Sequence, residues 1–201
     1  CMDHVGFTGN NPRRRDAGHH KVFDRYMKMT KEQNLGDSIG FHHHPVPFSG
    51  NYNESGTAFW GGENLNQILC RKIIDRQWFP VSFRPGFHTE RPDSNWFLEQ
   101  WIPFDYGNQS FAEDTEQPDC SKGRFGDWRH APLEWYPYHP SHDDYQQKGN
   151  CRRWITRCLN MYARIRQISL CDVEEAFEAA QKGQNVILAF TDHDYKDMCY
   201  E

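Results

Sequence analysis

The chain has 201 residues, of which 37% are hydrophobic and 15% aromatic, and it carries a formal net charge of −5. This length suits one domain with a full core, and the acidic balance gives no reason to expect nucleic acid or an anionic membrane as the main partner. No apolar run reaches the length of about 20 residues that spans a membrane, and the seven cysteines contain no CxxC pair. We therefore expect a single domain over residues 1–201 with reduced thiols, as is typical of cytoplasmic proteins.

The first half of the chain alternates short apolar segments with amphipathic ones. It starts at Cys1 without an initiator methionine or a signal-peptide apolar region, so we expect an incomplete N-terminus, with a removed signal as the alternative to a cytoplasmic location. Residues 46–62, rich in Gly, Asn, Ser and Pro, predict a long functional loop. The predicted order is strand 2–7, helix 20–35 ended by Gly36, strand 37–44 closed by Pro45, helix 64–76, strand 79–83, a helix capped by Asp93 and Ser94, and strand 102–106.

The second half begins with residues 107–150, an irregular segment that predicts an insertion or a lid. Residues 152–168 carry Ile155 and Leu159 at helical spacing and predict an amphipathic helix. Asp172 and Glu175 have the spacing of a capping box for a further helix that ends at Gly183. Residues 186–190 are five consecutive apolar residues, which indicates a strand buried on both faces, as in a parallel sheet covered by helices. The sequence therefore predicts an α/β fold with mostly parallel strands.

Polar, titratable groups follow the predicted strands along the whole chain. Functional residues of parallel sheets and barrels gather at the carboxyl ends of the strands, so these groups are the candidate site. They are Asp3 and His4, His42 to His44, Arg84 to His88, Asp105, and Asp192 to Asp194.

The histidine triplet is the strongest candidate for a metal site. In an extended segment His42 and His44 share one face while His43 points elsewhere, so the outer two can bind one cation. Neutral imidazole suits Zn, Fe, Ni or Cu, and either Asp3 or His4 could supply a third ligand. The alternative is a solvated loop, which the internal position of the triplet disfavours.

Three further residues are candidates for proton transfer and orientation. Arg84 directly follows an apolar strand, where a charge needs a carboxylate partner such as Asp3. His193 stands between two aspartates and is a candidate general acid, with a plain surface histidine as the alternative. His88 is either catalytic or a turn histidine that satisfies backbone groups.

The order of these motifs resembles the polysaccharide deacetylase, or NodB-homology, superfamily. Members have an acidic T-F-D-D motif, an H-[ST]-x-x-H-P motif, an R-x-P-[YF] motif, an Asp/Trp motif and a late L-x-H motif. The corresponding segments here are Met2 to His4, Ile39 to Pro45, Phe83 to His88, Trp101 to Asp105 and Ala189 to His193. The branch that this chain resembles is associated with bacterial surface-polysaccharide and O-antigen biosynthesis.

The resemblance implies an incomplete (β/α) barrel whose metal, most often Zn with Ni, Co or Fe as alternatives, lies at the carboxyl ends of the strands. It further implies hydrolysis of an N-acetyl or O-acetyl group on a carbohydrate, with Asp3 as base, Arg84 orienting it and His193 as acid. The chain departs from the family at His4, where a metal-binding Asp is expected, and at Val46, where the second metal histidine is expected. The residues expected to bind the sugar are Trp128, Trp135, Tyr138 and Asp105.

Two other functions remain as alternatives. A catalytically inactive carbohydrate-binding relative would keep the cleft without a working acid and base, and the departures at His4 and Val46 favour it. A mononuclear iron oxygenase also uses two histidines and one carboxylate. The alternation of strands and helices disfavours the oxygenase, because an all-β scaffold is expected for that class.

Overall fold

The structure is a computed structural model that describes residues 2–5, 19–45, 63–88, 90, 92–112, 126–161 and 168–191. Its strands are β1 (Met2–Val5), β2 (Phe41–Pro45), β3 (Ser82–Pro85), β4 (Phe104–Asn108), β5 (Trp154–Asn160) and β6 (Ala189–Thr191). Its helices are α1 (His19–Gln33), α2 (Glu63–Arg76), α3 (Pro92–Leu98) and α4 (Leu170–Gln181), with a short 3-10 helix at Gly86–His88.

All six strands run parallel, and their order in space is their order in the chain. Strands β1 to β5 form one curled sheet, half of a barrel, and β6 extends it beside β5. Parallel neighbours need a crossover connection, which is a helix at each step except between β4 and β5, where the irregular segment makes the connection. The predicted α/β fold and its parallel, incomplete barrel are confirmed at this level.

The main hydrophobic core lies between the helices and one face of the sheet. Phe23 of α1 and Leu69 of α2 pack with Phe41 and Phe83, which sit side by side on β2 and β3. Trp78 lies edge-on to both Phe23, at a ring-centroid distance of 4.9 Å, and Phe41, at 6.0 Å. The face of β2 that carries Phe41 is therefore the helix-facing side of the sheet.

The predicted helix over residues 152–168 is wrong, because β5 occupies its first half. Ile155 and Leu159 are spaced for a helix, but both are buried, as are Thr156, Arg157 and Cys158 between them. A strand buried on both faces produces such a run, and its polar members are tolerated because partners lie within reach. Residues 162–167 lie outside the described part of the chain.

The predicted starts of two helices need correction. Helix α3 begins at Pro92, so Ser94 lies inside the helix, where its hydroxyl donates to Glu90 rather than capping the end. Helix α4 is capped by Ser169, whose reciprocal bonds with Asp172 form a capping box one turn before the predicted one. The predicted stop at Gly183 is confirmed, with φ of +81° directly after the C-cap. Helix α1 ends at Gln33, three residues before the predicted Gly36, and the left-handed residue that follows it is Asn34, with φ of +46°.

The last strand is shorter and more exposed than predicted. In the described sheet, β6 pairs only with β5. Phe190 is 48% exposed, and Ile187, just before the strand, is 44% exposed. An edge strand lacks the second neighbour that would help to cover it. The prediction that residues 186–190 are buried on both faces is therefore wrong.

The irregular segment packs into the core, at least over residues 126–153. Tyr138 pairs with Ile155 in an antiparallel bridge, and both belong to a buried cluster with Trp128 and Tyr145. The described part of this segment therefore covers β5. Residues 113–125 and the predicted loop at residues 46–62 lie outside the described part of the chain.

Candidate functional site

The register of the first three strands brings the predicted metal-binding segment together. His42 lies opposite Met2 on β1 and opposite Arg84 on β3, while His44 lies opposite His4. Paired residues of a parallel sheet share a face and consecutive residues alternate, so the positions of His4, His42 and His44 are on one face.

The position of Asp3 is on the opposite face of the sheet from that of His4. It lies opposite His43, two residues along from Phe41, and so on the helix-facing side of the sheet. The side chains of Asp3, His4, His43 and His44, and all of residues 192–194 with the predicted acid His193, are outside the described part of the chain.

The His42 ring is fixed by a hydrogen bond to the neighbouring strand. Its Nδ1 lies 2.6 Å from the carbonyl oxygen of Arg84. Because a carbonyl only accepts, Nδ1 carries the proton and the lone pair is on Nε2. Metal-binding histidines are oriented in this way, with one nitrogen donating to a carbonyl and the other facing the metal. The half-buried His42 therefore fits a metal ligand.

Among the described residues, Arg84 is held by an imidazole, while the side chain of Asp3, its predicted carboxylate partner, lies outside the described part of the chain. Its guanidinium lies 2.5 Å from Nε2 of His88, and its buried Nε has no hydrogen-bond partner among the described residues. Burial lowers the pKa of Arg84. Because its Nε–H has no partner among the described residues, this guanidinium can still donate a hydrogen bond to an oxygen of a ligand or of a nearby residue.

His88 supports Arg84 from a buried position. Since Arg84 only donates, Nε2 of His88 accepts, and Nδ1 then donates to the carbonyl oxygen of Gly107 at 3.3 Å. Its own carbonyl accepts from Trp128 Nε1 at 2.8 Å, and its backbone has a φ of +51°. Both ring nitrogens thus bind protein atoms, which corresponds to a positioning role.

Asp105, predicted to bind substrate, is instead part of a buried ionic cluster. It pairs with Arg153, which also donates to Glu90 at 3.1 Å and to Asn95 at 2.8 Å, and all four side chains are buried. Burial, together with the nearby charge of Asp105, raises the pKa of Glu90 to about 8 although Arg153 opposes this. The cluster joins α3 to β4 and β5, so its role is structural.

The three aromatic residues predicted to face the sugar also lie in the interior. Trp128, Trp135 and Tyr138 are 3%, 5% and 5% exposed, so they present almost no ring surface for stacking. The Tyr138 hydroxyl donates to the carbonyl of Tyr145 at 2.6 Å, and Trp135 packs under the guanidinium of Arg157. Their burial explains the aromatic richness of the segment as core packing.

A second polar cluster lies at the opposite, amino-terminal edge of the sheet, and no pattern in the sequence indicates it. Glu99 follows α3 and precedes β4, Cys151 precedes β5, and His142 comes from the irregular segment. Their ligand atoms all lie within 4.8 Å of one another. The contacts join residues 43 and 52 positions apart, without any motif spacing that sequence reasoning could detect.

Glu99 is the centre of this second cluster. It accepts from His142 Nε2 at 2.9 Å and from the Cys151 thiol at 3.0 Å, and the backbone N–H of Arg152 donates to it at 2.9 Å. Partial burial would raise its pKa, but these three hydrogen bonds lower it to about 2. Burial raises the pKa of Cys151 to about 11, and the bond to Glu99 adds to this shift.

The chain matches no family model, no curated protein and no solved structure. Among the residues that the structure describes, no helix has both the length and the apolar character needed to cross a membrane.

Proposed function

We propose that the chain is a metal-dependent hydrolase that removes an acetyl group from an N-acetylated or O-acetylated sugar in surface-polysaccharide biosynthesis. The observation that carries the proposal is the hydrogen bond from His42 Nδ1 to the carbonyl of Arg84, the contact by which metal-binding histidines are typically oriented. The parallel half-barrel supports it, because the chemistry of such sheets gathers at the carboxyl ends of the strands.

His42, His44 and His4 are the proposed metal ligands. The strand register supports His4 over Asp3 as the third ligand, because His4 shares the face of the other two histidines. Three imidazoles leave room for water and substrate and suit Zn, with Ni, Co or Fe as alternatives. A bound metal would polarise the acyl carbonyl and make a water molecule acidic enough to attack it.

The roles of base and acid rest on the resemblance to polysaccharide deacetylases. The resemblance gives Asp3 as the base for the attacking water and His193 as the acid for the departing amine or alkoxide. The strand register speaks against Asp3 in this role, because its position is on the face of the sheet opposite to the proposed ligands. Arg84, oriented by His88, is the proposed donor for negative charge on the acyl group or on Asp3. The sugar surface must come from residues other than the buried Trp128 and its neighbours.

The test measures bound metal in single alanine variants. His42→Ala, His44→Ala and His4→Ala are each expected to lose one equivalent, whereas His130→Ala, a substitution of an exposed histidine, is the matched control and should lose none. Unchanged metal content in both His42→Ala and His44→Ala would rule out the site.

Asp3→Asn separates catalysis from metal binding. If Asp3 is the base, as the resemblance implies, the variant keeps its metal and releases acetate from an acetylated sugar at least about 100-fold more slowly, the usual scale for losing a general base. Sugar binding without acetate release by the intact protein would identify the inactive relative instead. Loss of metal in Asp3→Asn would show that Asp3 is itself a metal ligand.

A further inference from the structure

The cluster at the amino-terminal edge has the donor set of a transition-metal site. It combines an imidazole, a carboxylate and a thiol, and soft and borderline donors of this kind select Zn²⁺ over Mg²⁺ or Ca²⁺. Bond lengths of about 2.0–2.3 Å in tetrahedral geometry place such ligand atoms about 3.3–3.5 Å apart. The contacts of Glu99 with His142 and Cys151 measure 2.9 and 3.0 Å, so small side-chain movements would admit an ion.

The surroundings of the cluster also suit a metal site. Trp96 Nε1 donates to the carbonyl of His142 at 2.8 Å, and the two rings meet edge-on, which limits the movement of that histidine. The backbone N–H of Arg152 orients Glu99 as an outer-sphere partner. The His142 side chain is 36% exposed, which gives an ion a path of entry and a side for a fourth, water ligand.

A thiol nucleophile is the main alternative role for Cys151, and its environment opposes that role. Reactive cysteines lie beside cations that stabilise the thiolate, whereas this thiol donates to a carboxylate and its pKa is raised to about 11. A divalent cation is the partner that would make the thiolate stable next to Glu99.

We propose that Glu99, His142 and Cys151 bind Zn²⁺ at a second, structural site distinct from the one at the carboxyl edge. Binding breaks the S–H bond of Cys151 and releases its proton to solvent. The Nε2 proton that His142 donates to Glu99 is exchanged through solvent for one on Nδ1, so that Nε2 binds the ion as a neutral imidazole. The ion joins the end of α3, the irregular segment and the start of β5. The site does not depend on the proposed hydrolase activity.

Replacement of the metal by Co²⁺ tests this site, because a thiolate bound to Co²⁺ gives a charge-transfer band in the near ultraviolet. The wild-type protein should show the band, and Cys151→Ser should lose it. Cys171→Ser, a substitution of an exposed free cysteine on α4, is the matched control and should retain it. His42→Ala should also keep the band, which separates this site from the carboxyl edge.

Elemental analysis provides the second measurement. Glu99→Gln and His142→Gln should each bind Zn²⁺ at least about tenfold more weakly, with far-ultraviolet circular dichroism unchanged. A wild-type protein without the band, or a Cys151→Ser variant that keeps it, would overturn the proposal. If Cys151→Ser does not fold, the half-exposed His142→Gln decides the question by the same band.

Discussion

The two edges of the sheet are built in different ways. At the carboxyl edge, His42 and Arg84 lie at neighbouring strand positions, and His88 follows four residues after Arg84. At the amino edge, Glu99 meets His142 and Cys151 across 43 and 52 residues of chain. Local sequence patterns therefore indicate the first group, while only the path of the irregular segment assembles the second.

The two edges also differ in whether their residues mainly stabilise the fold or mainly bind a ligand. The buried ion pairs of Arg153 lie at the amino side, with Glu99 and Cys151 close by in the chain. The carboxyl edge has the half-buried imidazole of His42 and the buried Nε of Arg84, which has no partner among the described residues. We expect substitutions at the amino edge to weaken folding and substitutions at the carboxyl edge to affect mainly ligand binding.

Arg153→Met should give the largest loss of stability. It leaves Glu90 and Asp105 buried without their cation, and breaking a buried pair in this way costs about 3–5 kcal/mol. Urea unfolding at neutral pH measures the loss. Arg152→Met, next in sequence but exposed, is the control and should stay within about 0.5 kcal/mol of wild type.

His42→Ala is the corresponding substitution at the carboxyl edge, and urea unfolding measures its loss of stability as well. Since the substitution removes the hydrogen bond from Nδ1 to the carbonyl of Arg84, it should cost about 0.5–1.5 kcal/mol. The distinction between the edges fails if His42→Ala destabilises the protein as much as Arg153→Met does.

Glu99→Gln should have an intermediate, pH-dependent effect. The folded-state pKa of about 2 lies below the ordinary value of 4.5, so the ionised carboxylate stabilises the fold above pH 4.5, and this stabilisation is lost as the pH falls towards 2. In metal-free protein the variant should be about 2 kcal/mol less stable than wild type at pH 7.

The difference between wild type and Glu99→Gln should shrink to near zero at pH 2, as followed by urea unfolding across that range. Glu174→Gln, on the exposed face of α4, is the control and should show no comparable pH dependence. A constant difference at all pH values would show that the charge of Glu99 contributes nothing.

Ser169→Ala should give a small effect, comparable to that of His42→Ala, at a position that belongs to neither edge. It removes the hydroxyl that accepts from the Asp172 backbone N–H in the capping box of α4, which costs about 1 kcal/mol. Thermal or urea unfolding measures it against Ser38→Ala, an exposed serine outside the helices. A loss as large as that of Arg153→Met would mean that α4 is as important to folding as the buried cluster.

A helix whose apolar residues recur at helical spacing could be predicted from the sequence, whereas a strand that contains buried polar residues could not. Helix α1 was predicted within two residues because its apolar period is a local signal. Strand β5 was mistaken for a helix, since Ile155 and Leu159 fit both structures. The burial of Arg153, just before the strand, and of Arg157 within it is explained only by partners far along the chain.

The sequence by itself determined the parallel α/β order and the polar residues at the strand ends, because strand periodicity and turn residues act over a few positions. Only the tertiary structure decided that Trp128, Trp135, Tyr138 and Asp105 are interior residues, and that Glu99, His142 and Cys151 meet. The burial of a side chain and the meeting of distant groups depend on the packing of the whole chain. No local pattern encodes them.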